Sequence, residues 1–304
     1  MSDAILTQQL TKKFHRFDAL RALNLAVPEG STYALVGPNG AGKTTTIKVL
    51  MNILRASSGR ATILGTDSRH ISGRPFESIG YVSENQELPG WMRVDSFLAY
   101  LRPFYETWDR TLEVELVQQF QLPLDRKLRH LSRGMRMKAA LASSLAYHPK
   151  LIVLDEPFTG LDPLVRDELI QGLLDRAGES TIFVSSHDLA EIESFATHIG
   201  YLENGTLKFS EELSNLSQRF REVELTFETS PALPKEWPQT WLQPGNSAAV
   251  VRFIDSRFDE EITNSEIRRR FGAVRNVTFT PMSLRSIFLA MAKAGREVVM
   301  KGEA

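Results

Sequence analysis

The sequence of 304 residues contains no cysteine and carries almost no net charge. Without cysteine no disulfide bond can hold the fold, which suits a reducing compartment such as the cytosol. A formal charge of −1 argues against a protein whose whole surface is basic and binds polyanions, although it allows a local basic patch. The length is sufficient for a large core and suggests two domains.

The sequence also has no uninterrupted apolar run of about 18 residues, the length that a membrane-spanning helix needs. It begins MSDAILTQQLTKKF, in which no basic segment precedes a long apolar one, so we expect no secretory signal. A role at a membrane would therefore depend on a partner protein.

Short apolar runs alternate with helical patterns over the first 215 residues, which predicts an α/β fold. Two of the runs, residues 32–36 and LIVLDE at 151–156, predict parallel strands that are buried on both faces. The other predicted elements are short strands before residue 30 and over 59–83, a helix from Thr44, mostly helical residues 94–147, helices at 166–177 and 189–197, a strand at 181–185, and a hairpin that turns at Asn204-Gly205.

The composition changes after about residue 215. The proline-rich stretch PALPKEWPQTWLQPG lies between two strand-like runs, EVELTFE and AAVVRFI. A helix (ITNSEIRRRFG), a strand (VRNVTFT) and a last helix (SLRSIFLAMAKAG) are predicted to follow. We therefore predict a first domain of residues 1–215 and a small accessory α+β domain of residues 216–304.

The segment GPNGAGKT, residues 37–44, matches the phosphate-binding pattern G-x-x-x-x-G-K-[ST] and lies between a predicted strand and a predicted helix. In such a loop, glycines let backbone N–H groups converge on phosphate oxygens. Lys43 would supply positive charge for the β and γ phosphates, and the Thr44 hydroxyl would bind Mg²⁺. The alternative, a glycine-rich turn without a ligand, is disfavoured by the strand-loop-helix context.

Two acids end the predicted strand LIVLDE. Asp155 is placed for a second contact with magnesium, and Glu156 beside it could orient and deprotonate an attacking water. The alternative is that both acids only cap the following turn. The phosphate-binding loop elsewhere in the chain favours the catalytic interpretation.

These residues resemble the ATP-binding subunits of ABC transporters over roughly residues 4–215. The resemblance consists of several motifs in their expected order: GPNGAGKTTT as the Walker A loop, LSRGM as the signature, LIVLDE as the Walker B strand, FTGLD as the D-loop, and SSHD with a switch histidine. It implies a P-loop NTPase core with an N-terminal antiparallel β-subdomain and a helical signature subdomain at about residues 88–148. ATP and Mg²⁺ are the implied cofactors.

The resemblance also implies a set of site residues. The residues implied in catalysis are Glu156, His187 and Lys43. Those implied in nucleotide binding are Phe14, Gly37, Pro38, Asn39, Gly40, Ala41, Gly42, Lys43, Thr44, Thr45, Glu84, Ser132, Gly134 and Asp162. Those implied in binding the metal are Thr44, Asp155 and Glu84.

LSRGMR, residues 131–136, predicts a helix start that Ser132 caps, and exposed N–H groups at such a start attract an anion. The phosphate loop, however, lies far upstream in the sequence. The resemblance accounts for this, because in ABC ATPases two domains pair head to tail and the signature helix of one covers the γ-phosphate held by the other. It implies a second ATPase subunit, as a homodimer with two composite sites.

Several positions depart from the family pattern. Arg133 and Met135 replace a glycine and a glutamine of the signature, and Glu84 replaces the glutamine expected after the strand IGYVS. Gln86 could substitute for that glutamine if the loop shifts. For the aromatic residue that stacks on adenine we favour Phe14, with Phe17 as the competing candidate.

The resemblance implies a separate transmembrane permease, contacted through the surface between Glu84 and about residue 105, which would hold the chain on the cytoplasmic face of the cell membrane. The sequence is most similar to the branch that exports drugs, antibiotic peptides and lipids. Two alternatives stay open: a soluble ABC-class ATPase acting on nucleic acid or ribosomes, and a regulatory ATP-binding subunit with weak hydrolysis. The basic residues around the signature are interpreted as a solvated surface without a nucleic-acid partner, since no aromatic residues are interleaved with them.

Overall fold

The computed structural model describes residues 2–234, 236–291 and 293. The chain divides into two compact units, Met1–Glu211 and Glu212–Ala304. The boundary predicted from the sequence, residue 215, falls inside a helix near the start of the second unit, α7 (Leu213–Arg219).

An antiparallel sheet contains the first strands of the chain, in the order β2-β1-β4-β5. Its strands are β1 (Asp3–Phe14), β2 (Phe17–Pro28), β4 (Ser58–Ile63) and β5 (Thr66–Asp67). Alternate apolar side chains such as Leu10, Leu25 and Ile63 are buried and contribute to the core of the first unit. Strands with one buried face show this period-2 pattern.

The central sheet has six strands in the order β10-β9-β3-β8-β7-β6. They are β3 (Thr32–Val36), β6 (Ile79–Ser83), β7 (Leu151–Asp155), β8 (Thr181–Ser186), β9 (His198–Glu203) and β10 (Thr206–Glu212). Strands β9, β3, β8, β7 and β6 run parallel. Every residue of β3, β7 and β8 is buried, which explains their continuous rather than alternating patterns.

The predicted strand at 32–36 is confirmed, as is the hairpin between β9 and β10. The strand predicted at 151–156 is also present but ends one residue earlier, at Asp155. Asn204 and Gly205 both have positive φ, 51° and 75°, as a two-residue hairpin turn of this type requires.

The helices of the first unit follow the predicted order. They are α1 (Lys43–Leu50), α2 (Val94–Leu101), α3 (Arg110–Gln119), α4 (Arg133–Leu145), α5 (Pro163–Leu174) and α6 (Leu189–Ile192). Helix α5 begins earlier than predicted, because Asp162 caps it by accepting a hydrogen bond from Val165 N, and proline suits the first helical position. Among the described residues no helix is long and apolar enough to cross a membrane.

The predicted helix at 189–197 is wrong in length, because α6 ends at Ile192. The chain must turn there so that β9 can lie beside β3. Thr197 N already donates a hydrogen bond to Thr32 O, at 2.8 Å, which is incompatible with continued helix.

The second unit contains a four-stranded antiparallel sheet in the order β12-β13-β11-β14. Its strands are β11 (Arg221–Thr226), β12 (Trp241–Ser247), β13 (Val250–Asp255) and β14 (Asn276–Pro281), and α8 (Glu260–Phe271) connects the last two. This is the strand order of a ferredoxin-like split β-α-β sheet, in which β11 lies between the two strands that α8 joins. The segment from β11 to β12, where such a sheet has its first helix, contains no helix among its described residues.

Strand β12 was missed because it lies in the proline-rich stretch. Pro244 is accommodated because β12 is an edge strand and the pairing with β13 is irregular between Leu242 and Gly245. Trp241 anchors the strand by stacking on Phe253, with ring centroids 3.9 Å apart. Of the predicted last helix, residues 284–291 and 293 are helical, whereas residues 292, 294 and 295 lie outside the described residues.

Each unit has its own hydrophobic core. One core cluster is drawn from residues 4–202, and another, around Trp241 and Phe253, from residues 223–279. Units with separate cores can fold separately.

We expect a fragment ending at residue 211 to unfold in one cooperative thermal transition and to bind ATP as the full chain does, measured by calorimetry. A folded fragment that fails to bind ATP would contradict this, and the full chain is the control.

Candidate nucleotide-binding site

Four strands of the central sheet, β3, β6, β7 and β8, end at one edge, and each is followed by a predicted site segment. Parallel neighbours place their carboxyl ends together, where α/β proteins bind ligands. A cavity of about 490 Å³ lies at this edge. It is lined by Phe17, Ala19, Asn39, Gly40, Ala41, Gly42, Lys43, Thr44, Thr45, Glu84, Glu156, Thr159 and His187.

The phosphate loop turns sharply into helix α1. Gly42 caps this helix with φ 110°, and a Cβ atom there would lie 2.6 Å from the carbonyl oxygen of Ala19. Only glycine tolerates both the backbone conformation and the close approach. The loop therefore presents the first N–H groups of a helix to the cavity, an arrangement that suits an anion.

Lys43 is buried, and its ammonium group reaches back over the loop. Lys43 Nζ lies 2.7 Å from Gly37 O, 3.3 Å from Pro38 O and 3.1 Å from Glu156 Oε1. Gly37 and Pro38 thus act through their carbonyl groups. These contacts fix the positive charge between the loop and the acid after β7.

Thr44 and Asp155 form an oxygen-rich pair below the loop. Thr44 Oγ1 and Ser185 Oγ both donate hydrogen bonds to Asp155 Oδ1, at 3.0 and 2.8 Å. Burial raises the pKa of Asp155, although both hydrogen bonds act against that rise. A hydroxyl beside a carboxylate fits Mg²⁺, which takes hard oxygen ligands and uses one or two protein groups together with substrate phosphates.

Glu156 is held by a network of three side chains. Its Oε2 lies 2.7 Å from His187 Nδ1 and accepts a hydrogen bond from Thr159 Oγ1 at 3.2 Å, while Oε1 faces Lys43. Burial raises the pKa of Glu156, but the hydrogen bond with His187 and the charge of Lys43 outweigh it, so the pKa is lowered. The carboxylate is therefore ionised at neutral pH and can accept a proton.

The backbone of Glu156 has φ 52°, a left-handed conformation that is unfavourable for a residue with a side chain. Its N–H group donates a hydrogen bond to Ser185 Oγ at 3.0 Å, which helps to hold this conformation. The turn aims the carboxylate back into the cavity rather than along the strand.

Glu84 follows β6, and its N–H group donates to Asp155 O at 2.9 Å. Its carboxylate accepts a hydrogen bond from Arg133, so two of the three departures from the family pattern lie in contact. Gln86 does not substitute for Glu84 at the cavity. Its side-chain oxygen instead turns back toward Ser83 N, at 3.4 Å.

The structure places Phe17 rather than Phe14 at the cavity. The two residues pair across the β1–β2 turn, but the cavity is lined by Phe17, which is 56% exposed. The ring of Phe14 lies under Lys12 Nζ, 4.8 Å from the ring centroid. Phe17, the competing candidate, is therefore better placed than Phe14 to stack on a base in this cavity.

Besides Phe14, the predicted site residues that do not line this cavity are Gly37, Pro38, Asp155, Ser132, Gly134 and Asp162. Among the described residues, the last three are not hydrogen-bonded to any that line it. Ser132 caps α4 by accepting a hydrogen bond from Met135 N at 3.2 Å, and Asp162 caps α5. A Cβ atom on Gly134 would lie 2.8 Å from Val165 Cγ1, so this glycine permits close packing of α4 on α5. Each has a structural role within its own subunit.

Sequence reasoning missed two side chains of the site, Ser185 and Thr159. Ser185 lies within the SSHD motif, and a polar residue at the end of a fully buried strand was the available signal. Thr159 lies within the FTGLD motif, but the motif did not show that its hydroxyl reaches Glu156, which depends on the turn after Pro157.

The ABC transporter family profile matches residues 20–159. The daunorubicin/doxorubicin resistance ATP-binding protein DrrA of Streptomyces peucetius is 30% identical over 308 residues, which cover 95% of this chain and 92% of DrrA. An uncharacterised ABC transporter ATP-binding protein of Synechocystis is 33% identical over 210 residues, and the match spans 66% of this chain but only 58% of that relative. The chain therefore belongs to the ATP-binding proteins of ABC transporters.

A solved structure described as an ATP-binding subunit of an ABC transporter has the same fold. The TM-score is 0.65 at 25% identity, over 71% of this chain and 92% of that one. The predicted family and the predicted P-loop NTPase fold are thus confirmed.

Asp155→Asn tests the electrostatics of the site without nucleotide. Because the pKa of Asp155 is raised in the folded state, the group favours folding when protonated, and this contribution is lost as the pH rises through the folded pKa. We expect D155N to raise the melting temperature at pH 7, since an amide oxygen can still accept both hydrogen bonds. The difference should vanish below the unfolded pKa of about 3.9. A variant that melts below wild type at pH 7, measured by scanning calorimetry, would contradict this.

Proposed function

We propose that this chain hydrolyses ATP with Mg²⁺ and, as a dimer, powers a separate transmembrane partner in export. The observation that carries the hydrolytic part is one cluster, in which Lys43 and His187 both contact the carboxylate of Glu156 beside the Thr44–Asp155 pair. Phosphate binding, metal binding and base chemistry thereby share one cavity.

The nucleotide would be bound both at its phosphates and at its adenine ring. Lys43 and the N–H groups at the start of α1 bind the β and γ phosphates. Thr44 and Asp155 would hold Mg²⁺, and its charge would offset that of the phosphate oxygens. Phe17 offers an exposed ring at the cavity for stacking with adenine.

Glu156 is proposed as the general base. It accepts a proton from the water whose oxygen attacks the γ-phosphorus, as the bond to the bridging oxygen of ADP breaks. His187 holds this carboxylate in place through the 2.7 Å contact. The lowered pKa of Glu156 keeps the base ionised at neutral pH.

A second subunit is supported by the start of α4. Ser132 and Arg133 are exposed there, although they do not line the chain's own phosphate cavity. An exposed helix start of this kind suits an anion that comes from elsewhere. Pairing two copies head to tail would place Ser132 of each against the phosphate of the other.

The permease contact is proposed for the start of the helical subdomain. Trp91, Tyr100 and Phe104 are large apolar side chains that are 70%, 54% and 59% exposed. Exposed aromatic groups of this size indicate an interaction surface. Such a contact would hold the chain at the inner face of the cell membrane.

Export is supported by the match to DrrA, a resistance protein, because that match runs through both units of the chain.

A regulatory subunit with weak hydrolysis is the second candidate. The observation that favours it is the engagement of Glu84 by Arg133, which alters the position where the family pattern has glutamine. Phosphate release from the purified protein with Mg²⁺ and ATP distinguishes the two.

Glu156→Gln tests the base. The amide keeps the shape of the side chain but removes most of its basicity, so hydrolysis should fall by about 10²–10⁴ while ATP binding survives. The variant should accumulate as an ATP-dependent dimer on a sizing column. Glu179→Gln is the matched control, since Glu179 is exposed and precedes β8 at the opposite edge of the sheet. A normal rate in E156Q would refute the catalytic role.

Phe17→Ala and Phe14→Ala form a matched pair that tests adenine stacking. Loss of an aromatic–base stack is worth about 1–3 kcal/mol, so F17A should weaken ATP binding about fivefold or more. F14A should bind ATP as wild type does, because its ring contacts Lys12 instead. Titration calorimetry provides the measurement, and equal effects of the two changes would exclude a specific stack on Phe17.

A further inference from the structure

Two unusual residues of this chain, Glu84 and Arg133, are partners in one ion pair. Arg133 Nη2 and Glu84 Oε1 are 2.5 Å apart. The side chain of Arg133 is 43% exposed and that of Glu84 is 25% exposed. The glutamic acid in place of glutamine and the arginine in place of glycine are therefore one structural feature.

Glu84 lies between two cavities. It lines the nucleotide cavity with Lys43, and it also lines a neighbouring cavity of about 480 Å³ that contains Arg133 and Arg136. The ion pair directs its carboxylate toward the second cavity. This carboxylate is thereby engaged by a cation other than the lysine of the phosphate loop.

The backbone of Glu84 is hydrogen-bonded to Asp155, one of the two residues that fit Mg²⁺. Its N–H group donates to Asp155 O at 2.9 Å, and the preceding residue, Ser83, is in register with Asp155 in the β6–β7 pair. The backbone of Glu84 is thus connected directly to that of Asp155. The ion pair extends this connection to the first residue of α4.

Arg133 is also packed against the turn that follows the general base. Gly160, with φ 69°, leaves room for it, because a Cβ atom there would lie 3.0 Å from Arg133 Nη1. The same turn contains Thr159, which is hydrogen-bonded to Glu156. The guanidinium group therefore contacts two segments of the nucleotide site, through Glu84 and through Gly160.

Each charge is unfavourable alone. A cation in the first turn of a helix opposes the helix dipole, and Arg133 is the first residue of α4. A free carboxylate at the position of Glu84 would repel the phosphates that Lys43 attracts. As a pair, the two charges compensate each other.

We propose that the Glu84–Arg133 ion pair is a positioning element that couples the chain's own nucleotide cavity to the helix start that presents Ser132 to a second subunit. Each of the two residues functions only in the presence of the other. The inference rests on the proposed ATPase function. It predicts that the two half-sites of one chain move together, because Asp155, Glu84, Arg133 and Ser132 form one continuous chain of contacts.

The test is a double-mutant cycle in the full chain, with E84Q, R133Q and the double variant E84Q/R133Q. Each single change leaves one uncompensated charge and should lower kcat about fivefold or more. R133Q should also raise KM, because the freed carboxylate of Glu84 repels the phosphates. The double variant should recover to within about twofold of wild type, because neither charge remains. Arg136→Gln is the matched control, since Arg136 lines the same cavity one turn further along α4.

A second readout is the melting temperature of the three variants without nucleotide. The single changes should each lower it, and the double variant should lie above the sum of the two single effects. Additive effects on both kcat and melting temperature would overturn the proposal. It would also be overturned if R133Q kept the wild-type kcat while E84Q alone raised the Mg²⁺ concentration needed for activity, because Glu84 would then be a metal ligand. Absence of hydrolysis in wild type would refute the proposed function instead. The melting temperatures of the three variants would then test whether Glu84 and Arg133 are coupled.

Discussion

The site depends on the parallel pairing of β3, β6, β7 and β8. Their register brings Val36 beside Ser186, Asp155 beside Ser185, and Ser83 beside Asp155. Four segments that are far apart in the sequence consequently begin at the same edge of one sheet. Short side chains such as Ser185 and Thr44 can then form hydrogen bonds between these segments, because the strand pairing already brings their backbones close together.

This geometry explains which parts of the site were predictable. A strand buried on both faces is continuously apolar, and the residues directly after it are the ones that reach the edge. Asp155 and Glu156 could be placed in this way from sequence alone, and the phosphate loop has its own spacing. His187 followed only from the family resemblance, since by itself it had the ordinary interpretation of a polar residue between a strand and a helix. What the pattern does not encode is the direction of each side chain after the strand ends. For that reason Gln86, which turns back toward Ser83, could not be distinguished from a group that faces the cavity.

Other features required the folded chain. The choice between Phe14 and Phe17 depends on a two-residue turn, since both rings are exposed and only their orientation differs. Strand β12 has the composition of a loop, and the stacking of Trp241 on Phe253 stabilises it against the sheet. The contact between Glu84 and Arg133 joins residues that are 49 positions apart. These two departures from the family pattern looked like isolated substitutions until the fold placed one against the other.

The ammonium group of Lys43 has a further consequence. An ammonium has three N–H donors, and here they face three oxygen atoms, those of Gly37, Pro38 and the Glu156 carboxylate. A phosphate oxygen that binds this lysine must replace one of them, and the carboxylate is the only one that belongs to a side chain. Binding of substrate thus exchanges an internal counter-ion for an external one. Since the charge of Lys43 contributes to the lowered pKa of Glu156, in the proposed reaction that exchange would remove one of the interactions that keep this carboxylate a weak base.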